Sequence, residues 1–158
     1  MNLSYYVYGA FPLFAVLRPE FPWAELVRDG LAMQDAARRN ALGLAPDWIT
    51  LRPGRAYRPA RGHDPHASYD AVRIPLYLLM EGDVPRHFLR PYDRRWNRAG
   101  DGVPVAYDLE RGRAVRPMDD PGYRAIAALV ACALRDAPIP ADLRRFRPTT
   151  YSASTLHL

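Results

Sequence analysis

The sequence predicts an all-α fold that forms part of an (α/α)6 barrel, with short β-hairpins in the connecting loops. Three observations carry that expectation. Apolar residues recur at helical spacing in several segments, loops bounded by Pro and Gly and carrying short β-type runs separate them, and no βαβ unit or repeat of fixed period is present. In such a barrel, paired helices enclose a core and the loops at one end build the site. Twelve helices of about 11–12 residues, joined by loops of about 4–6, need roughly 200 residues or more. The 158 residues here offer six helical segments. The expectation is therefore one domain's worth of chain that makes half of a barrel.

The elements follow in order. Residues 3–17 are almost wholly apolar and aromatic, which predicts a helix buried on most sides, with Pro12 marking its first turn or a kink. Pro22-Trp23 opens a second helix, apolar at Leu26, Val27, Leu31 and Met33 and polar at Arg28, Asp29, Asp35, Arg38 and Arg39, with Gly43 as its stop. Trp48 to Leu51, a Pro53-Gly54 turn and Ala56-Tyr57-Arg58 read as a small hairpin. Ser68 is placed to cap a third helix, Tyr69 to Glu81, closed by Gly82. A fourth starts at Pro85 and runs to about Arg98, and a second hairpin pairs Val105–Tyr107 with Ala114-Val115. Pro121 starts the fifth, strongly apolar over Tyr123–Leu134, and Tyr151 to Leu158 begins a sixth that stops in mid-helix, so both ends read as cut.

Composition narrows the function classes. Apolar residues make up 49% and charged residues 25%, ordinary for a globular domain. The net charge is +5, and all 22 basic residues are arginine. Those arginines are scattered among Asp and Pro rather than gathered on one helix face, which argues against nucleic-acid binding. The longest apolar run, residues 125–134, is too short to cross a bilayer, so no membrane role is expected. Cys132 lies among alanines and valine, the setting of a small buried hydrophobe. His63 and His66 share a Pro-containing loop without a third ligand nearby, so the loop reads as solvated; no metal and no cofactor are expected.

One segment is specific. Ser68-Tyr69-Asp70-Ala71-Val72-Arg73-Ile74-Pro75-Leu76 resembles the Tyr-Asp-Ala-x-Arg helix start of glycoside hydrolase family 8, which holds bacterial endoglucanases, chitosanases and related enzymes. Asn2-Leu3-Ser4-Tyr5-Tyr6 is similar to the family's Asn-Pro-Ser-Tyr element, with Leu3 in place of the proline. Gly43-Leu44-Ala45-Pro46-Asp47-Trp48 resembles the loop before the catalytic helix, and Thr150 to Leu156 a final Tyr-rich helix. The resemblance covers nearly the whole chain and only the family's C-terminal half. It implies a fold of the six-hairpin glycosidase type, a periplasmic or secreted enzyme, and a β-1,4-linked glucan as its substrate.

The resemblance places the general base of an inverting mechanism at Asp70. Such a mechanism needs a carboxylate to deprotonate water on the face opposite the leaving group, and a protonated carboxyl about 6.5–9.5 Å away. A helix start favours negative charge, which suits the base. Arg73, one turn on, is placed to orient that carboxylate or reach a sugar hydroxyl, and Tyr69 flanks it. Tyr5, Trp48 and Tyr151 are candidates to line a glucan cleft, because flat pyranose faces stack on such rings. The plainer alternatives stay open: a first-turn aspartate without chemistry, a helix-stabilising ion pair for Arg73, barrel core for the aromatics. Trp23 and Trp96 are assigned to packing.

The family's acid is a glutamate ahead of everything matched here, and none of Glu20, Glu25, Glu81 and Glu110 stands in such a context. The expectation is thus a glucanase fragment with its base and without its acid, inactive and poorly soluble alone, whose partner is the N-terminal half of the same domain. The alternative is a non-catalytic glucan-binding or assembly protein derived from the same fold.

Overall fold

A computed structural model describes residues 1–51, 57–99 and 101–158. Its secondary structure is mainly helical, with two small antiparallel sheets set in the loops.

The N-terminal apolar stretch is not one buried helix. Two single 3-10 turns, Leu3–Tyr5 and Tyr8–Ala10, lead into a short helix α1, Phe11–Leu17. Pro12 sits in its first turn, where a missing N–H costs nothing. Leu3, Tyr8 and Phe11 are buried, but Leu13, Phe14, Val16 and Leu17 face outward, Val16 at 80% exposure. Helix α2, Trp23–Ala37, starts where the sequence placed it. Trp23 packs as expected, stacked on Phe11 and in contact with Phe14 and Phe21, and its ring N–H donates to the Arg18 carbonyl at 2.7 Å.

Gly43 is not the stop of α2, which ends six residues earlier. Asn40 takes that role, accepting from the N–H groups of Leu42 and Gly43 and donating to the Leu44 carbonyl at 2.7 Å. Arg38, placed on the polar face, is buried. Its guanidinium covers the Phe88 ring at 4.5 Å and donates to Asp35 and to the His87 carbonyl, both at 3.0 Å.

Strand β1, Ile49–Thr50, pairs antiparallel with β2, Arg58–Pro59. The Pro53-Gly54 turn between them lies outside the described residues. Strand β3, His66–Ala67, was not anticipated; it adds an edge to the hairpin of β4, Val105–Asp108, and β5, Arg113–Pro117. Two residues alternating beneath a turn carry too little pattern to be read as a strand.

A 3-10 turn, Ala71–Arg73, runs into α3, Ile74–Glu81, whose end at Gly82 has φ +98°. The fourth helix is broken into a 3-10 turn Arg86–Phe88, a short helix α4, Arg90–Tyr92, and wider π turns over Asp93–Arg98. Pro91, lacking an N–H, prevents a continuous ladder from Pro85 onward. Asp93 is buried and accepts from Arg98 at 3.1 Å and Arg135 at 2.9 Å, tying these turns to the next helix.

That helix, α5, Pro121–Arg135, is central and buries Tyr123, Ile126, Ala127, Val130 and Ala131 against α3, the π turns and α6, Tyr151–His157. Cys132 on it is half-buried rather than fully enclosed. Helices α5 and α6 cross at Gly122. A Cβ there would lie 1.8 Å from the Ala153 carbonyl oxygen, so the crossing requires glycine.

Candidate active site

The site is assembled at the start of the third helix. The loop Pro46-Asp47-Trp48 passes beside it, and the Asp47 carboxylate does the capping that the sequence assigned to Ser68. Its Oδ1 accepts from the N–H groups of Ser68, at 2.8 Å, and Ala71, at 2.7 Å, while the Ser68 hydroxyl donates to Oδ2. These N–H groups open the helix and have no partner within it, so a carboxylate from a remote loop satisfies them. The cap comes from 21 residues upstream, a separation that local pattern cannot reveal.

With that duty taken over by Asp47, the Asp70 side chain is not used as a cap. It is about one-third exposed and ion-paired with Arg73, as the i, i+3 spacing suggests. Arg73 also donates to the Ser4 hydroxyl at 2.8 Å. Ser4 in turn donates its hydroxyl to Asn2 Oδ1 at 2.7 Å, and its N–H donates to the same oxygen at 2.9 Å. Asn2, Ser4 and Arg73 thus form a chain of fixed groups ending on the Asp70 carboxylate. Asn2, Ser4 and Asp47 were not singled out as site residues, although all three stand inside the matched motifs.

The aromatic candidates divide. The Arg73 guanidinium lies 5.9 Å from the Tyr5 ring, Tyr5 meets Trp48 edge-on at 6.3 Å, and Trp48 stacks on His63 at 4.8 Å with the rings 12° from parallel. A continuous row therefore leads from Asp70 to the His63 loop. That loop, expected to be merely solvated, has one ring engaged. Tyr5 and Trp48 also wall an apolar hollow of about 340 Å³ with Tyr6, Phe11 and Leu26. Asn2 lines it, and its buried Nδ2 has no hydrogen-bond partner. Tyr69 lies 5.6 Å from the buried ring of Tyr123 and beneath the Arg116 guanidinium, which is 5.1 Å from its centroid. Burial, reinforced by the nearby Asp120 charge, raises the Tyr123 hydroxyl pKa.

Tyr151 is not drawn into this group. It is 87% exposed at the first turn of α6, and no ring contact joins it to Tyr69 or Trp48. Trp96 is buried against Tyr92, the packing role expected of it. Among the described residues, no group of three His, Cys, Asp or Glu side chains could hold a metal ion, and no helix is long and apolar enough to cross a membrane.

The helix-rich chain, with short hairpins in its loops, is part of an (α/α)6 barrel. Solved structures of that fold overlay on it: an endoglucanase from Komagataeibacter sucrofermentans, 32% identical, and an endo-β-1,4-glucanase from Acetobacter xylinum, 27% identical, each at a TM-score of 0.81. Each comparison covers 99% of this chain and 49% of the other. The family description "Glycosyl hydrolases family 8" matches residues 1–106. The chain belongs to glycoside hydrolase family 8. A probable endoglucanase of Novacetimonas hansenii is 33% identical over 129 residues, 80% of this chain and 38% of its own length. An endoglucanase of Cellulomonas uda is 35% identical over 78 residues, 49% of this chain and 22% of its own. The chain thus spans about half, or less, of the length of these relatives.

Proposed function

We propose that this chain is the C-terminal half of the catalytic domain of a periplasmic or secreted endo-β-1,4-glucanase, and that it supplies the general base of an inverting hydrolysis. The observation that carries the proposal is the Asp70 carboxylate, left free of capping by Asp47 and held by Arg73, which Ser4 and Asn2 fix from behind. A base must be aimed before it can take a proton from water, and the arginine holds the carboxylate in place. Tyr69, Tyr5 and Trp48 offer ring surface to the pyranose units near the scissile bond. Tyr151 belongs to this proposal only as an outlying contact.

The general acid is expected from a partner N-terminal half of the same domain. The outward-facing Leu13, Phe14, Val16 and Leu17 of α1 supply an apolar surface of the kind such a half would cover. Without the acid, leaving-group protonation is lost, which is worth about 10²–10⁴ in rate. The pure 158-residue chain should therefore bind cello-oligosaccharides and release no reducing ends from cellulose; measurable hydrolysis would refute the division of labour. The DNA immediately upstream of Met1 is the second test. An in-frame, glutamate-bearing helical half fits the proposal. In that complete domain, NMR of the first-formed product should show the α-anomer, and a β-anomer would overturn the inverting assignment. A stop codon upstream would favour the other reading, a non-catalytic glucan-binding protein.

A further inference from the structure

We propose that Arg116, on the exposed edge strand β5, is a specificity-determining residue that makes the glucan cleft disfavour cationic amino-sugar polymers relative to neutral β-1,4-glucans. The inference rests on the reading of Asp70 and its neighbours as a glucan-hydrolysing site.

The argument begins with position. Tyr69 directly precedes Asp70 and keeps 40% of its surface exposed, so a sugar unit beside the base meets this ring. The β3–β4–β5 sheet brings Arg116 over the same ring, opposite Ala106 in the strand register. Charge follows. Asp70, the carboxylate nearest in sequence, is matched by Arg73. Arg116 takes part in none of the ion pairs among the described residues, so its charge is free to act on what sits against Tyr69. A residue with no structural ion pair, on a strand exposed along its whole length, contributes little to folding; its placement over the exposed ring that directly precedes Asp70 is then the feature to explain.

A glucosamine unit resting against Tyr69 would bring its ammonium within about 8–10 Å of the guanidinium. Repulsion between unit charges at that range, with an effective dielectric between about 20 and 80, amounts to roughly a twofold to twentyfold loss of affinity. A neutral glucose unit feels no such repulsion and keeps its contact with the exposed part of the ring. The effect is electrostatic, so it fades once the Debye length falls below the separation.

The test is a binding titration of the whole chain with cellohexaose and with hexameric chitosan at about pH 5.5, followed by tryptophan fluorescence, in about 20 mM and about 300 mM salt. Wild type should prefer cellohexaose. R116Q should raise affinity for the chitosan hexamer by roughly twofold to twentyfold at low salt and leave cellohexaose within about twofold. R116E should move chitosan further in the same direction, and high salt should shrink both changes. A purely structural role for Arg116 would shift both sugars alike and ignore salt, which would overturn the proposal. Cellohexaose binding with a chitosan affinity that Arg116 variants leave unchanged would overturn it alone. Failure of wild type to bind either sugar would overturn it together with the glucan-site reading.

Discussion

Removing the Asp47 carboxylate tests whether the start of the Asp70 helix is positioned by the loop before it. Asp47→Ala deletes acceptors for three donors: the N–H groups of Ser68 and Ala71 and the Ser68 hydroxyl. Ala71 is buried, so its N–H cannot be satisfied by water without local opening. The Ser68 groups are half-buried and recover part of their loss from solvent. A hydrogen bond to a charged acceptor contributes about 1.5–3 kcal/mol, and an orphaned buried donor costs about 1–3. The sum, discounted for solvent at Ser68, is about 3 kcal/mol for Asp47→Ala. Asp47→Asn keeps a carbonyl oxygen for both N–H groups, and the Ser68 hydroxyl can turn to accept, so its cost is about 1 kcal/mol. Urea unfolding monitored by circular dichroism, with a slope of about 2 kcal/mol per molar, should move the midpoint by about 1.5 M and about 0.5 M respectively. Hydrogen exchange should localise the loss to the amides of Ala71 and Val72. An Asp47→Ala midpoint within about 0.25 M of wild type would show that the helix start is held by something else, and the account of why Asp70 is free for chemistry would fail with it.

Other perturbations follow from the same geometry. Gly122→Ala forces α6 from α5, because the new Cβ meets backbone rather than a mobile side chain; the helix-propensity gain of about 1 kcal/mol is outweighed, and a net loss of about 2 kcal/mol or more is expected in thermal unfolding. Asp93 is buried, and burial alone would raise its pKa, but hydrogen bonds from Arg135, Arg98 and Asn97 and the charge of Arg135 outweigh this and hold it below the usual carboxylate value. A depressed folded-state pKa stabilises the protein above the unfolded pKa, near 4, and that stability is lost as pH falls through the folded value. Asp93→Asn should therefore be less stable than wild type at neutral pH, with the gap narrowing below about pH 4 in acid titrations. Replacing Leu13, Val16 and Leu17 together by Gln or Lys should increase the soluble yield of the isolated chain while leaving its helix content unchanged. Aggregation equal to wild type would show that α1 is not the apolar liability.

The helices with strong periodicity were legible. Helices α2, α3 and α5 occur where apolar spacing and Pro or Gly punctuation put them, and α6 starts at Tyr151 as expected, with Ala153 as its buried residue. What failed was composition read without spacing. Residues 3–17 are apolar enough to be core, yet the structure divides them between buried Leu3, Tyr8 and Phe11 and outward-facing Leu13 and Val16. Caps were misassigned wherever the partner lay far away in sequence. Ser68 has the right residue type and position for a cap, and a carboxylate brought in by the fold displaces it from that task. Asp70 and Arg73 were legible as a pair because their separation is one helical turn. Asn2 and Ser4, which fix Arg73 from 69 residues away in the case of Ser4, carry no signal as residues and were visible only as part of a motif.

The distribution of these supports has a consequence for how the site works. Every described group that fixes Asp70, from Asn2 through Ser4 and Arg73, with Asp47 at the helix start, lies within this one chain. On the proposed reading of Asp70 as the base, these contacts hold its carboxylate in place. Preorganisation of this kind carries its cost in the folding of the half that holds it, not at the moment of reaction. On the same proposal, an N-terminal half would cover apolar surface and place one protonated carboxyl across the sugar. Substitutions in the Asn2–Ser4–Arg73 chain should accordingly lower turnover in a complete domain without weakening the association of its halves, while substitutions on α1 should do the reverse.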